Sequence, residues 1–104
     1  MKTDNDEKTL IKVYDKLFSY LEKLVTSYFT KNNHENRATL TNIFYALLNE
    51  IKKSGLIADF YVTCDEKNNF KMFIDENIIV IDIGYKFRDK EMLHSRITEK
   101  LNNK

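Results

Sequence analysis

The chain has 104 residues, of which 42% are hydrophobic and 32% charged, and its formal net charge is +1. This composition is typical of a single soluble globular domain and excludes a disordered tail. The near-neutral charge gives no electrostatic footprint for nucleic acid or an anionic membrane, and the lack of an 18-residue apolar run excludes a membrane-spanning helix. The single cysteine, Cys64, excludes an internal disulfide and suits a reducing compartment.

The first half of the chain predicts two long amphipathic helices that follow a polar lead-in over residues 1–6. Apolar residues recur at steps of three and four over 6–29 and again over 37–53, as on the buried stripe of a helix. The turn "TKNNHEN" separates the two helices, and Gly55 ends the second. The two stripes consist of Leu10, Tyr14, Leu17, Leu21, Leu24 and Tyr28, and of Leu40, Ile43, Phe44, Leu47, Leu48 and Ile51.

The second half predicts two strands whose side chains alternate between two faces. In "ADFYVTC", 58–64, one face carries Phe60, Val62 and Cys64, and the other carries Asp59, Tyr61 and Thr63. The segment "FKMFI" fits either a short strand or an irregular apolar cover. In "IIVIDIGYKF", 78–87, the buried face is expected to hold Ile79, Ile81, Ile83, Tyr85 and Phe87, and the other face Ile78, Val80 and Asp82. Because that second face is also partly apolar, this strand is expected to need cover on both sides.

The last segment, "RDKEMLHSRITEKLNNK", predicts a C-terminal helix over 89–101. Asp89 would cap it, and Leu93, Ile97 and Leu101 recur at steps of four. The element order is then helix, helix, strand, strand, helix, which is a single α+β domain with a small antiparallel sheet packed on two long helices. The expected core places Phe60, Val62, Ile79, Ile81 and Ile83 against Leu17, Leu21, Phe44, Leu47 and Ile51.

The residues capable of chemistry favour structural roles. Cys64 could be a nucleophile with His34 or His94 as its base, but it is in phase with the apolar face of its strand, where a cysteine is inert. Neither histidine has a partner at a spacing suited to zinc. A calcium site between Asp65-Glu66 and Asp75-Glu76 is conceivable, yet no EF-hand spacing is present and ordinary turn chemistry is favoured. We therefore expect no enzyme activity, no catalytic residue, no metal site and no cofactor.

Two kinds of binding surface remain open. Nucleic acid could bind to Lys52, Lys53, Lys67, Lys71 and Lys86 with the tyrosines of the sheet, although Asp59, Asp75 and Asp82 lie among them and oppose it. The second kind is the edge of the sheet, because a short sheet with unpaired strands recruits strands from other chains. The candidate edge residues are Phe60, Tyr61, Val62, Thr63, Ile78, Val80, Asp82 and Tyr85.

The stretch "SGLIADFYVTCDEKNN" followed by "FIDENIIVIDIGYKF" resembles the C-terminal, inner domain of contractile-phage tail sheath proteins. In that family a helix ends at glycine, and a strand runs into a Cys-Asp-Glu/Thr-x-Asn-Asn turn. An Ile-Asp-x-Asn turn then opens the next strand. The matching turn residues are Cys64, Asp65, Glu66, Asn68, Asn69, Ile74, Asp75 and Asn77. With the helices, the aromatic Tyr28-Phe29 and the turn at Asn32-Asn33, the resemblance covers residues 8–87.

The chain also departs from the family. Phe70 stands where proline often follows the Asn-Asn pair, and Ser54-Gly55 replaces a Gly-Gly. A sheath subunit carries large outer domains before this domain and an apolar extension after it, whereas residues 88–104 are strongly charged. We therefore expect the sheath's inner domain made as a separate small protein, with residues 1–104 forming one domain, 7–87 its sheath-like part and 88–104 a helix and tail.

The resemblance implies a structural role, because sheath inner domains complete their sheets with arms donated by neighbouring subunits. The chain would accept such arms by β-strand addition and would nucleate or cap the sheath at the baseplate. A neck-end terminator or minor sheath protein is the alternative, and a small phage nucleic-acid-binding or host-takeover regulator is the alternative from another class. Expected partners are tail sheath subunits and tail tube, baseplate or neck proteins, with neither nucleic acid nor membrane.

The same resemblance implies several copies in a ring, located in the virion tail and in the host cytoplasm during assembly. Proline at Val62 or Val80 is expected to abolish assembly, since it would remove a backbone donor from a strand ladder.

Overall fold

The computed structural model describes the backbone of residues 2–101 and the side chains of residue 12 and of residues 15–101. It has three helices and a three-stranded antiparallel sheet within that range, so the domain is α+β as expected. The elements in chain order are α1 (Lys2–Tyr28), α2 (His34–Lys53), β1 (Asp59–Thr63), α3 (Lys71–Asp75), β2 (Ile78–Lys86) and β3 (Leu93–Lys100).

The two long predicted helices are confirmed, with earlier starts than expected. Residues 2–6 already belong to α1, so the lead-in over 1–6 is wrong where the structure describes it, and Met1 lies outside the described residues. α2 begins at His34 because the Asn33 side chain caps it, with Oδ1 accepting a hydrogen bond from Asn36 N at 2.8 Å. After α2, Gly55 takes a φ of +88°, the left-handed conformation that glycine favours.

The buried stripe of α1 is also confirmed in part. Leu21 and Val25 are buried, and Leu17 and Leu24 pack beside them, but Tyr28 is 78% exposed and its predicted burial is wrong. The predicted stripe positions Leu10 and Tyr14 have side chains outside the described residues. Neither of the two long described helices is long and apolar enough to cross a membrane.

The sheet has the order β1-β2-β3, so β2 is the central strand. β1 pairs with β2 from Asp59 opposite Lys86 to Thr63 opposite Asp82, and β3 pairs with β2 along almost its whole length. The expectation that 78–87 offers an open edge is therefore wrong. Within the described sheet, the open edges belong to β1 and β3.

The predicted C-terminal helix over 89–101 is wrong, because residues 93–100 form β3. Spacings of four between Leu93, Ile97 and Leu101 fit a helix, but they fit a strand equally well because four is a multiple of two. Ile97 and Leu101 are both 2% exposed on the face toward the helices. Pairing decides between the two readings, since the backbone of the buried strand β2 needs a hydrogen-bonding partner on this side.

The segment 70–74 is neither a strand nor an irregular cover, because residues 71–75 form the short helix α3. The amides of Phe73 and Ile74 both bond to Phe70 O, and Lys71 Nζ pairs with Asp75 Oδ2 one turn later at 2.9 Å. These local contacts close one helical turn.

The predicted core is confirmed. Its centre is the inner face of β2, where Ile79, Ile81 and Ile83 are at most 1% exposed. All ten residues expected to form the core belong to one apolar cluster, either buried in it or partly buried and packed against it. Val80, on the opposite face of β2, is also fully buried, which confirms that this strand is covered on both sides.

Candidate partner-binding edge

The outer edge of β1 carries backbone groups that point away from β2. Phe60 N donates to the Asp59 side chain at 2.9 Å rather than to β2. Since the backbone direction alternates along an antiparallel strand, Val62 also faces outward, whereas Asp59, Tyr61 and Thr63 face β2. The outward groups of this edge are the Phe60 carbonyl, both Val62 groups and the Cys64 amide.

The energy available from this edge is limited because it is short. Four backbone hydrogen bonds at about 0.5–1.5 kcal/mol each supply about 2–6 kcal/mol. Association itself costs at least about 4 kcal/mol in lost translational and rotational freedom. A strand added to β1 therefore needs side-chain contacts as well.

A groove between α2 and β1 lies beside this edge and can provide such contacts. Tyr45 of α2 packs on Phe60 with ring centroids 4.9 Å apart, and Thr41 Oγ1 donates to Cys64 O at 3.3 Å. α2 thus runs along β1 in the opposite direction. Toward the end of β1 the groove opens into a cavity of about 250 Å³, lined by His34, Arg37, Ala38, Thr41, Asn42, Val62, Cys64 and Asp65.

Arg37 is the unusual residue of this cavity wall. Arg37 is only 5% exposed, and its Nη1 donates a hydrogen bond to Asn32 Oδ1 at 2.6 Å. Its Nε is buried and, among the residues that the structure describes, has no hydrogen-bond partner. No described carboxylate lies within ion-pair distance of the guanidinium.

The second open edge is that of β3, which the sequence did not reveal. Leu101 N donates to Asn77 O at 2.9 Å and continues the β2–β3 ladder, so the odd-numbered residues of β3 face β2. The outward residues are therefore His94, Arg96, Thr98 and Lys100. Charged side chains along an edge are a common protection against unwanted strand pairing.

The outer face of the sheet is occupied by two cross-strand rows. Tyr61, Gly84 and His94 lie in register, and the Tyr61 ring crosses the glycine so that its hydroxyl lies 2.6 Å from His94 Nδ1. In the next row Arg96 binds Asp82 through two hydrogen bonds of 2.6 and 3.0 Å. Hydrogen bonding to Arg96 holds the pKa of Asp82 below its usual value. The side chains of Tyr61, His94, Asp82 and Arg96 are thus paired across the strands of the sheet.

The asparagines of the turn motif form a buried hydrogen-bond network. Asn69, 1% exposed, accepts from Val80 N at 2.8 Å and donates to Val80 O at 2.9 Å, as a paired strand residue would. Asn68 Nδ2 donates to Thr63 O at 2.7 Å and to Asp82 Oδ2 at 3.0 Å. Together they continue the pairing of β2 beyond the end of β1.

Asn77 and Asn32 connect this network to the α1–α2 turn. Asn77 adopts a φ of 57°, which asparagine tolerates better than most residues, and its side chain bonds to Asn32 N and Thr30 O. Asn32, 3% exposed, donates to Asn69 Oδ1 and to Ile78 O. The Cys-Asp-Glu-x-Asn-Asn and Ile-Asp-x-Asn motifs are thus brought together in space.

The remaining motif residues lie outside the network. Asp65 is exposed and its Oδ1 accepts from Lys67 N at 2.8 Å, which shapes the turn. Glu66 is exposed, Ile74 is half-buried, and Asp75 forms an ion pair with Lys71. No group of three or more potential metal ligands occurs in the part of the chain that the structure describes.

Cys64 is buried, and this burial raises the pKa of its thiol to about 12 despite the opposing charge of Arg37. His94 lies in the cross-strand row with Tyr61, whereas His34 lies in the cavity wall that Cys64 also lines. With such a pKa the thiol stays protonated at neutral pH, which disfavours a nucleophilic role.

The structure places the predicted edge residues in two groups. Phe60, Tyr61, Val62 and Thr63 lie in the edge strand β1, while Ile78, Val80, Asp82 and Tyr85 lie in the central strand and cannot receive another strand. Moreover, Val80 N donates to Asn69 Oδ1, so the prediction that this amide is a free donor for an added strand is wrong. Arg37 was not identified from the sequence, because no local pattern indicates that an arginine in the first turn of α2 is buried. Asn32 was predicted only as a turn residue.

No family model, curated protein or solved structure matches the chain.

Proposed function

We propose that the protein is a structural component of a contractile phage tail, or of a related injection machine. It receives an extended segment of a sheath subunit at the edge of β1 and thereby nucleates or caps the sheath at the baseplate. The observation that carries the proposal is the outward backbone of Phe60–Cys64 beside the groove under α2. The resemblance of the two turn motifs to sheath inner domains supplies the partner class.

The β1 edge is favoured over the β3 edge for the incoming segment. Along β1, the outward Val62 is half-buried and uncharged, and α2 provides a wall on which alternate side chains of an added strand can pack. Along β3, His94, Arg96 and Lys100 would oppose close approach of another strand. Several copies in a ring would offer one β1 edge to each sheath subunit.

The test is recovery of partners with the tagged chain from cells that produce the assembly. The wild type should bring down a sheath subunit together with baseplate components. Val62→Pro removes the outward amide of β1 and should lose the sheath subunit, whereas the matched Thr98→Pro removes an outward amide of β3 and should retain it. Circular dichroism and urea unfolding verify that each variant is folded.

Each other outcome of the pull-down shows which part of the proposed function is wrong. Loss with Thr98→Pro alone would move the interaction to β3, and recovery of neck proteins would move it to the other end of the tail. Recovery of nucleic acid or of a host enzyme without any sheath subunit would overturn the proposed function. Val80→Pro is not a suitable test, because the Val80 amide is buried in the asparagine network and its loss should unfold the domain.

A further inference from the structure

The buried guanidinium of Arg37 is not explained by the contacts that it makes. Its described hydrogen bond, from Nη1 to Asn32 Oδ1, needs only a neutral donor, which a glutamine side chain would provide without a buried charge. Burying a charge is costly unless an anion and further hydrogen bonds compensate it. Here Nε has no partner among the described residues, and no described carboxylate is within ion-pair distance.

The cavity that Arg37 lines has room for the missing anion. Its volume of about 250 Å³ is several times the roughly 30 Å³ that one water occupies, enough for an acidic side chain. The cavity wall includes the first turn of α2, where the helix dipole also favours negative charge. The carboxylate of Asp65 would repel an anion in the cavity. However, Asp65 is exposed to solvent, and its Oδ1 already accepts a hydrogen bond from Lys67 N.

The position of the cavity relates it to the edge of β1. Val62 and Cys64 line the cavity and lie on the face of β1 toward the helices. A residue placed directly opposite either of them in an added strand has its side chain on the same face. That side chain would enter the groove between β1 and α2.

We propose that this cavity binds the carboxylate of an Asp or Glu side chain in the strand that adds to β1, with Arg37 as its ion-pair and hydrogen-bond partner. This inference rests on the proposed strand addition and specifies the segment that is recognised. The carboxylate fixes the register of the added strand, since a short edge with few backbone groups specifies register weakly. The acidic residue stands opposite Val62 or Cys64.

The test is selection of binders from a ribosome-displayed library of random nine-residue segments. Segments that bind the wild type should share an acidic residue at one position, and replacing it by its amide should weaken binding about tenfold or more, as for other charge-assisted hydrogen bonds. Arg37→Gln, which keeps a donor for Asn32, should select segments without that preference. Arg88→Gln, which changes an exposed arginine after β2, should select the same segments as the wild type.

The possible failures of the two proposals can be distinguished. If segments bind and lose binding with Val62→Pro but show no acidic preference, the carboxylate inference is overturned and strand addition stands. If no segment is enriched, a titration with sodium acetate against sodium chloride is followed at the Nε–H resonance of Arg37. A shift specific to acetate would then leave an anion site without strand addition and overturn the assignment to a strand, and no shift would overturn the site itself.

Discussion

At the scale of single residues, asparagine amides replace missing backbone partners. A primary amide carries a donor and an acceptor on one carbon, so Asn69 can bond both to Val80 N and to Val80 O. It thereby closes the edge of β2 where β1 has ended. The buried amides of Asn32 and Asn68 hold the adjoining turns in the same way.

Asn69→Ala should destabilise the domain by about 2–4 kcal/mol. The change leaves the Val80 amide buried without a partner, which costs about 1–3 kcal/mol. It also removes one of the two side-chain hydrogen bonds to the Val80 carbonyl, worth about 1 kcal/mol, and leaves the one from Asn68 Nδ2 at 3.3 Å. Urea unfolding measures the free energy of unfolding. Asn42→Ala, at an exposed position of α2, is the control and should change it by less than about 0.5 kcal/mol. Equal effects of the two changes would contradict a special role for Asn69.

The thiol of Cys64 should resist modification while the domain is folded. Burial raises the pKa of the thiol to about 12, so the reactive thiolate is scarce. In addition, the residue Cys64 is only 3% exposed. With a disulfide reagent at mildly alkaline pH, labelling should be at least about 100-fold slower than in concentrated urea, since it requires opening of the fold. Comparable rates in the two conditions would contradict this placement of Cys64.

At the scale of elements, the three strands are joined on the outer face by the Tyr61–Gly84–His94 row. A Cβ at Gly84 would overlap the Tyr61 ring. We expect Gly84→Ala to cost about 1–3 kcal/mol of unfolding free energy, because the ring must move away. The effect should largely vanish when Tyr61→Ala is already present, and a double-mutant cycle measures this coupling. If the two changes have additive effects on the free energy of unfolding, Gly84 and Tyr61 are not coupled as this contact requires.

The contact of α1 with β3 places two carboxyl groups together. Burial, and then the nearby carboxylate of Glu22, raise the pKa of Glu99 above its usual 4.5, with Ser19, Lys23 and Thr26 lining the same site. The folded state therefore binds this proton more tightly than the unfolded chain. The resulting stabilisation is present below about pH 4.5 and is lost as the pH rises through the folded-state pKa.

Glu99→Gln should accordingly make the domain more stable at neutral pH, and the gain should shrink toward pH 4. Urea unfolding at a series of pH values measures the difference from the wild type. The matched Glu50→Gln, on the exposed side of α2, should show no such trend. If the wild type is more stable than Glu99→Gln at neutral pH, repulsion between the carboxylates of Glu22 and Glu99 is contradicted.

At the scale of the whole molecule, the sheet is closed in its centre and open at two different edges. Hydrogen exchange should show this alternation residue by residue. The amides of Val62 and Cys64 in β1, and of Arg96 and Thr98 in β3, should exchange at least about tenfold faster than those of their inward neighbours. Addition of a bound segment should slow only the β1 pair. Uniform exchange along residues 93–100 would contradict β3 as a paired edge strand.

Local patterns predicted the parts of the fold in which one period dominates. The wide stripes of α1 and α2 fit only a helix, and the alternation over 58–64 and 78–87 fits only a strand, so these elements and the core between them are confirmed. For Leu93, Ile97 and Leu101 both periods fit, so the pattern alone does not distinguish the strand β3 from the predicted helix. The helix α3 is a single turn closed by local bonds, too short for any period to be visible.

The side-chain patterns of the sequence predicted which segments are apolar on which face, where most of the turns lie, and hence an α+β core around β2. The tertiary structure adds that β3 pairs with β2, that the open edges lie at β1 and β3, that Asn69 closes the edge of β2, and that Arg37 lines a cavity with Val62 and Cys64. The reason is physical. Side-chain periodicity follows from local backbone geometry, whereas pairing and burial of polar groups depend on which backbone groups remain unsatisfied once the whole chain has packed.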